Sequence, residues 1–287
     1  MPRKRPRKSK TPVDATVRPV RQSPSEKEAA NETAAGDSSA EEIARPHAQA
    51  LADAAAYIGG GESPDRGGAA SSQRIRAEQQ RVEEWARSQG CLIDEREFES
   101  LTLISNSTSE HEVWYRESDG RAVKRTWPGF YGQVPIFENG RLERAPASPA
   151  QYLERQKLHN EIFDGDLRLE GVCISSKPSM IIGEPAGLPA FVVSQPFIRA
   201  ENRDLATPSE TQIADFFTAH GFESVSGSYF GWRRVSDGVV ILDARRDNFI
   251  LAPGGVVPID LQMAVIPEII RANTPRRRAS KTRRKRA

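Results

Sequence analysis

Two aspartates and an asparagine near the C-terminal end are the residues best placed to do chemistry. The run Val240-Ile241-Leu242 ends on Asp243, and Asn248 follows five positions later. A second apolar run, Val256-Val257-Pro258-Ile259, ends on Asp260. Phosphoryl transfer uses such a set: one carboxylate orients an attacking hydroxyl, while an amide and a second carboxylate hold magnesium against the phosphates. Asp and Asn are also turn-forming residues, and taken alone the segment reads more readily as a turn between two strands.

The elements upstream must position these groups. Residues 112–126 read as a hairpin, with Val113 and Tyr115 alternating with polar neighbours and Asp119-Gly120 at the turn. Lys124 then lies within the return strand, where a rigid backbone can hold its ammonium over phosphates, or else faces solvent. A helix follows, capped by Ser148 with Pro149 at its first position and no breaker from Tyr152 to Phe163. Glu161 and, as a fallback, Glu154 lie beside its apolar stripe of Leu158 and Ile162, as partners for Lys124 or as a solvated face. Strands are expected at 171–176, 180–183 and 190–198. The last breaks at Pro196, which suggests a hinge whose backbone groups at Gln195 and Phe197 meet an adenine edge, or an ordinary strand exit. Thr207-Pro208-Ser209-Glu210 reads as a capping box opening a helix with Ile213, Phe216 and Phe217 on one face and a stop at Gly221. A second hairpin, 229–235 and 239–243, turns at Asp237-Gly238 and delivers Asp243.

The order of parts is hairpin with lysine, helix with glutamate, strands, hinge, helix, then Asp, Asn, Asp. In that order the chain resembles protein-kinase-like enzymes, and most of all the kinase-like domain of polyvalent proteins from bacterial viruses and mobile elements. The residues that carry the likeness are Ser109–Tyr115, Gly120–Thr126, Leu158–Phe163, Ser194–Ile198, Tyr229–Trp232 and Leu242–Met263. They span roughly residues 76 to 270. The resemblance implies an α+β, divergent two-lobed kinase-like fold with a reduced C-terminal lobe. It implies ATP and Mg2+ as cofactors, with transfer of the γ-phosphoryl group to a hydroxyl acceptor. In that scheme Lys124 holds the α- and β-phosphates, Glu161 orients Lys124, and Gln195 and Phe197 meet the base. Asp243 takes or orients the acceptor proton, and Asn248 and Asp260 bind the metal.

A second reading is a catalytically inactive kinase-like binding module. Ser105–Glu110, where a glycine-rich loop would let backbone amides approach phosphate, contains no glycine, and Glu110 would repel it. Ile241 and Leu242 precede Asp243 where protein kinases carry His and Arg. A third reading is an unrelated α+β domain, in which Lys124, Glu161, Asp243 and Asp260 do not converge.

Composition bounds the rest. The 287 residues, 37% hydrophobic, suffice for one domain of roughly 200 residues. No apolar run is long enough for a membrane span, and the charged N-terminus does not read as a secretory signal. Two cysteines without paired spacing, Cys91 and Cys173, suggest free thiols in a reducing, cytoplasmic setting. His47, His111, His159 and His220 are scattered and do not point to zinc.

The net charge of +2 hides an asymmetry. Residues 1–10 hold six Lys/Arg and residues 276–287 hold eight, which leaves 27 cations against 39 acids between them, a net of −12. The expected domains are a disordered tail and linker over 1–73, a kinase-like domain over 74–273, and a basic disordered tail over 274–287. Within the linker, residues 48–58 read at most as a transient helix. Arg74–Gln89 reads as a firm one, with Ile75, Val82 and Trp85 on one side and a stop at Gly90. The basic ends suit non-specific contact with nucleic acid through phosphate neutralisation, or tails folding back on the acidic body. The protein partner is left open.

Overall fold

The structure, a computed structural model, describes residues 38–61, 68–106, 110–179, 185–200, 206–228 and 230–272. The basic ends, the strand expected at 180–183 and Tyr229 lie outside the described residues. The architecture is mixed α+β. Its first sheet is antiparallel, in the order β1 (Thr102–Ser105), β2 (His111–Arg116), β3 (Arg121–Thr126), β7 (Pro189–Pro196), β6 (Arg168–Ile174). The Asp119-Gly120 turn is present, with Gly120 at φ +66 where a side chain would be strained. It sets Val113 opposite Lys124.

Strand β3 is central and buried along its whole length, so its cations need partners. Arg121 donates to Asp166 at 2.7 Å and to the Ser194 hydroxyl at 2.8 Å. Arg125 donates to Glu112 at 2.5 Å and lies over the rings of Phe98 and Trp114, 4.6 and 5.3 Å from their centroids.

Three helices pack behind this sheet. Helix α3 (Pro149–Phe163) starts as the sequence indicates, with Ser148 and Gln151 in a reciprocal capping box and Pro149 at the first position. A further carboxylate supports that start. Glu78, fully buried on α2 (Ser72–Gln89), accepts from the Ala150 N–H at 2.9 Å, where the positive end of the helix dipole favours a negative charge. Val82 and Ala86 form the buried side of α2, and Trp85 packs at its margin.

Helix α1 (Ser38–Ile58) corrects the expected boundary at residue 74. Leu51, Ala54, Ala55 and Ile58 are at most 1% exposed and join α3 residues Tyr152 and Leu153 in one core. Their spacing of i, i+3, i+4, i+7 is that of an amphipathic helix face. Residues 11–73, rich in Ala, Ser, Glu, Pro and Gly, suggest linker, yet the alanines are what allow α1 to lie close against α3.

A hairpin not anticipated from the sequence joins β3 to α3. Strands β4 (Gln133–Glu138) and β5 (Arg141–Pro146) turn at Asn139-Gly140, both with positive φ.

The second sheet runs β13 (Gln262–Val265), β10 (Val239–Leu242), β9 (Trp232–Arg234), β8 (Glu223–Ser224). The hairpin of β11 (Phe249–Ala252) and β12 (Gly255–Pro258) stands beside it. Phe217 of α4 (Glu210–Ala219) anchors this half, fully buried and stacked on Trp232 with centroids 4.7 Å apart. The α4 cap is Ser209 with Gln212, two residues later than the expected Thr207 box, so Pro208 precedes the helix. A short helix, α5 (Pro267–Ala272), ends the described chain. Cys91 and Cys173 are free thiols. Among the described residues no helix is long and apolar enough to cross a membrane.

If α1 belongs to the core, Leu51→Ala should lower unfolding stability in urea by about 2–5 kcal/mol. A change near zero would show that α1 does not pack.

Candidate functional site

Strand β10 carries four buried apolar residues and then hands the chain to Asp243, which sits at φ +59. A non-glycine residue rarely adopts that conformation and holds it only where neighbours fix it. Asn248 is the main fixture. Its Nδ2 donates to the Asp243 carbonyl at 2.6 Å and to the carboxylate at 3.1 Å, while Arg245 Nε donates to Oδ1 at 2.9 Å. The spacing of five is bridged by the 3-10 turn Arg246–Asn248. The Asn248 carbonyl then accepts from the Ile259 N–H at 2.9 Å, which draws the end of the β11–β12 hairpin back beside the turn and sets Asp260 next to it.

Lys124 reaches the same place from β3, its Nζ donating to the Ile259 carbonyl at 2.5 Å. Burial would raise the Asp260 carboxyl, but His111, Lys124, Arg155 and His159 around it outweigh that and hold it below its ordinary range. Burial lowers the Lys124 ammonium, and Asp260 offsets part of that shift. Ligand-capable atoms of Glu110, His111 and Asp260 all lie within 4.8 Å of one another. Glu110 is in turn paired with both terminal nitrogens of Arg155 on α3, Nη1 at 3.1 Å from Oε2. Gly132, at φ +74, allows this, because a Cβ there would overlap the Glu110 carboxylate.

These residues line one cleft of about 520 Å³. Six of the seven expected site residues meet there: Lys124, Gln195, Phe197, Asp243, Asn248 and Asp260. Ile104, Val113, Ala122 and Ile250 add an apolar side. Glu161 is the exception. It is exposed, its side chain 44% accessible, and pairs at 3.5 Å with Lys157 one turn before it. Glu154 pairs with that same lysine at 3.6 Å. The inward face of α3 is instead Tyr152, Arg155 and His159, so the helix presents a guanidinium where a carboxylate was expected. The hinge expectation also changes in detail. The Phe197 N–H donates to the Gly120 carbonyl at 2.9 Å, and Gln195 lies opposite Ala122 in the β3–β7 ladder. Phe197 offers the cleft its ring, packed 4.8 Å from that of Tyr115, rather than a free amide.

No protein-family model, curated protein or solved structure matches the chain. What the site can do follows from its own groups. A buried ammonium, a clustered set of carboxylates and an apolar wall suit a ligand with a flat apolar end and a charged, metal-associated end.

His111, Arg155, His159 and Gln262 were not singled out from the sequence. Arg155 and His159, one turn apart on α3, carried a readable signal. His111 looked isolated because its partners lie on distant segments; its Nε2 lies 3.1 Å from the Tyr152 hydroxyl and 3.6 Å from Glu110.

Burial, with Lys124 and Arg155 adding to it, lowers His159 from 6.5 to about 4. The folded state therefore holds His159 neutral where the unfolded chain already binds a proton. Its contribution, at most about 3 kcal/mol, is complete above pH 6.5 and lost as pH falls toward 4. Denaturation midpoints measured against pH should fall across that window, and His159→Gln should flatten the slope. An unchanged slope in the variant would show that His159 is not held neutral.

Proposed function

We propose that this chain is an ATP- and Mg2+-dependent phosphotransferase, with a divergent two-lobed kinase-like fold, that moves a γ-phosphoryl group onto a hydroxyl acceptor. The observation that carries the reading is the meeting of Lys124, Asp243, Asn248 and Asp260, from segments more than a hundred residues apart, on one cleft. An accidental turn at Asp243 would not require a buried lysine from the other sheet to close on Asp260.

The parts take these roles. The apolar wall with Phe197 receives the base. Lys124 faces the phosphates and is positioned by Asp260 and the Ile259 carbonyl instead of a helix glutamate. Asp243, pinned by Asn248 and Arg245, receives the acceptor proton. For the metal, Asn248 spends its Nδ2 on Asp243, which leaves its amide oxygen as the atom for coordination beside Asp260. Glu110 and His111 lie close enough to Asp260 to add ligands. The oxygen donors of Asp260, Asn248 and Glu110 suit magnesium, whose bound charge neutralises phosphate, and the His111 nitrogen is the donor that suits it least. Most of the rate enhancement then comes from positioning and fixed charge.

One observation favours the inactive module. The Glu110 carboxylate lines the cleft close to Asp260, so two carboxylates face an incoming phosphate there and Arg155 offsets the charge of only one. Calorimetric titration of the full chain with ATP separates the two. Binding should require magnesium and weaken roughly tenfold or more in Asp260→Asn. Asp243→Ala should keep binding and lose transfer by about 10²- to 10⁴-fold. A folded wild type that does not bind ATP would leave the inactive module as the better account, and full transfer by Asp243→Ala would remove the role given to that residue.

A further inference from the structure

Asp243 also borders a second cavity. On its far side lies a space of about 760 Å³, which shares Glu110, Asp243, Arg245 and Gln262 with the first cleft. Its other walls come from β5, through Leu142, Glu143 and Arg144, and from Gly227, Ser228 and Phe230. We propose that this cavity is the acceptor site and that it takes a small hydroxylated anion, a polyol or sugar bearing a phosphate group. The inference rests on the phosphotransferase reading and extends it to the class of acceptor.

Placement is the first argument. A hydroxyl in this cavity reaches Asp243 from one side while a phosphoryl donor occupies the other. The step balances without further reagents. The hydroxyl oxygen forms a bond to the γ-phosphorus, the bond from that phosphorus to the β-bridging oxygen breaks, ADP leaves with that electron pair, and Asp243 takes the hydroxyl proton.

Backbone strain is the second. Four non-glycine residues have positive φ among the described residues. Asn139 is a hairpin turn and Asp164 the α3 C-cap, both ordinary places for it. The other two, Phe230 and Asp243, both wall this cavity, and the Phe230 carbonyl accepts from the Ala244 N–H at 3.2 Å. Phenylalanine gains no local side-chain hydrogen bond in that conformation, which costs on the order of 1–2 kcal/mol and persists at sites the surroundings over-determine.

The third argument is the complement of polar groups. Strand alternation turns Leu142 and Arg144 toward the Leu242–Asp243 side, where Leu142 joins the Leu242 cluster and Arg144 Nη1 lies 3.8 Å from Asp243 Oδ1. Arg245 adds a second guanidinium at the same carboxylate. Each guanidinium has five donors in a planar fork, so one contact to Asp243 leaves several for a phosphate. Glu143 also lines the cavity, so the two guanidiniums must outweigh its carboxylate there, while the Glu110 charge is engaged by Arg155. Gln262 supplies the last element. It is 9% exposed, and its Oε1 is a buried acceptor without a hydrogen-bond partner. A ligand hydroxyl would supply the donor. The half-open volume and the β4–β5 wall suit a small molecule rather than a protein side chain on a flat surface.

The test is calorimetry on the full chain without nucleotide. Glycerol 3-phosphate and ribose 5-phosphate are compared with glycerol and ribose, in wild type and in Arg144→Glu, and ATP with magnesium is titrated into both proteins as a check of folding and of the first cleft. The expected result is binding of the phosphorylated probes, roughly tenfold or more above the neutral ones and weakened by a similar factor in Arg144→Glu, with ATP affinity unchanged. Equal affinity of wild type and variant for the phosphorylated probes, or no preference for them over the neutral ones, would overturn the proposal. ATP binding with no effect of Arg144→Glu on the phosphate probes sinks this proposal alone. Phosphate probes that respond to Arg144→Glu in a protein that binds no ATP support the anion site and sink the phosphotransferase reading.

Discussion

A half-buried carboxylate surrounded by bases is the constraint on which the site depends. Asp260 sits among Lys124, Arg155, His111 and His159, which come from β3, α3 and β2. None of the cations is stable there alone, because desolvation lowers both Lys124 and Arg155. Removing one member of such a buried set leaves its partners uncompensated, at a cost of about 3–5 kcal/mol. The same arrangement joins the two halves of the domain, since its bases belong to the first sheet and α3 and its carboxylate to the segment entering the second.

From that constraint the rest of the geometry follows. Because Asp260 positions Lys124, α3 is free to present Arg155, and Arg155 holds Glu110 at the edge of the cleft. Gly132 is required at that point to leave room for the carboxylate. Asp243 is held separately, by Asn248 and Arg245, as a shared wall between two cavities. The two sides differ in what they do not share: Lys124, His111 and Asp260 line only the first, and Arg144 only the second, while Arg245 and Gln262 border both.

Much of this was legible in the sequence wherever the physics is local. Gly120, the Ser148-Pro149 start of α3, the Gly90 stop of α2 and the Asp243-to-Asn248 spacing are determined by their immediate neighbours, and each lies where expected. The failures were tertiary. Glu161 and Arg155 sit on the same helix, and which of them faces the cleft depends on what covers the other side. That cover is α1, whose small residues looked like linker because alanine contributes little hydrophobicity per residue even when it permits close helix packing. Thr207 and Ser209 both offered a cap, and sequence alone could not choose between two adequate hydroxyls. The β4–β5 hairpin was readable at Asn139-Gly140, yet its strands mix charged and apolar residues without clean alternation. It matters because one of its residues, Arg144, reaches Asp243.

The position of α1 has a consequence for how the chain is made. Its apolar face is synthesised early, but the α3 surface that covers it leaves the ribosome roughly a hundred residues later, a delay on the order of 5–20 seconds at ordinary translation rates. Through that interval Leu51 and Ile58 have no native partner on α3. Until α3 emerges, α2 is the helix that can cover that face, since Val82 and Ala86 share its core.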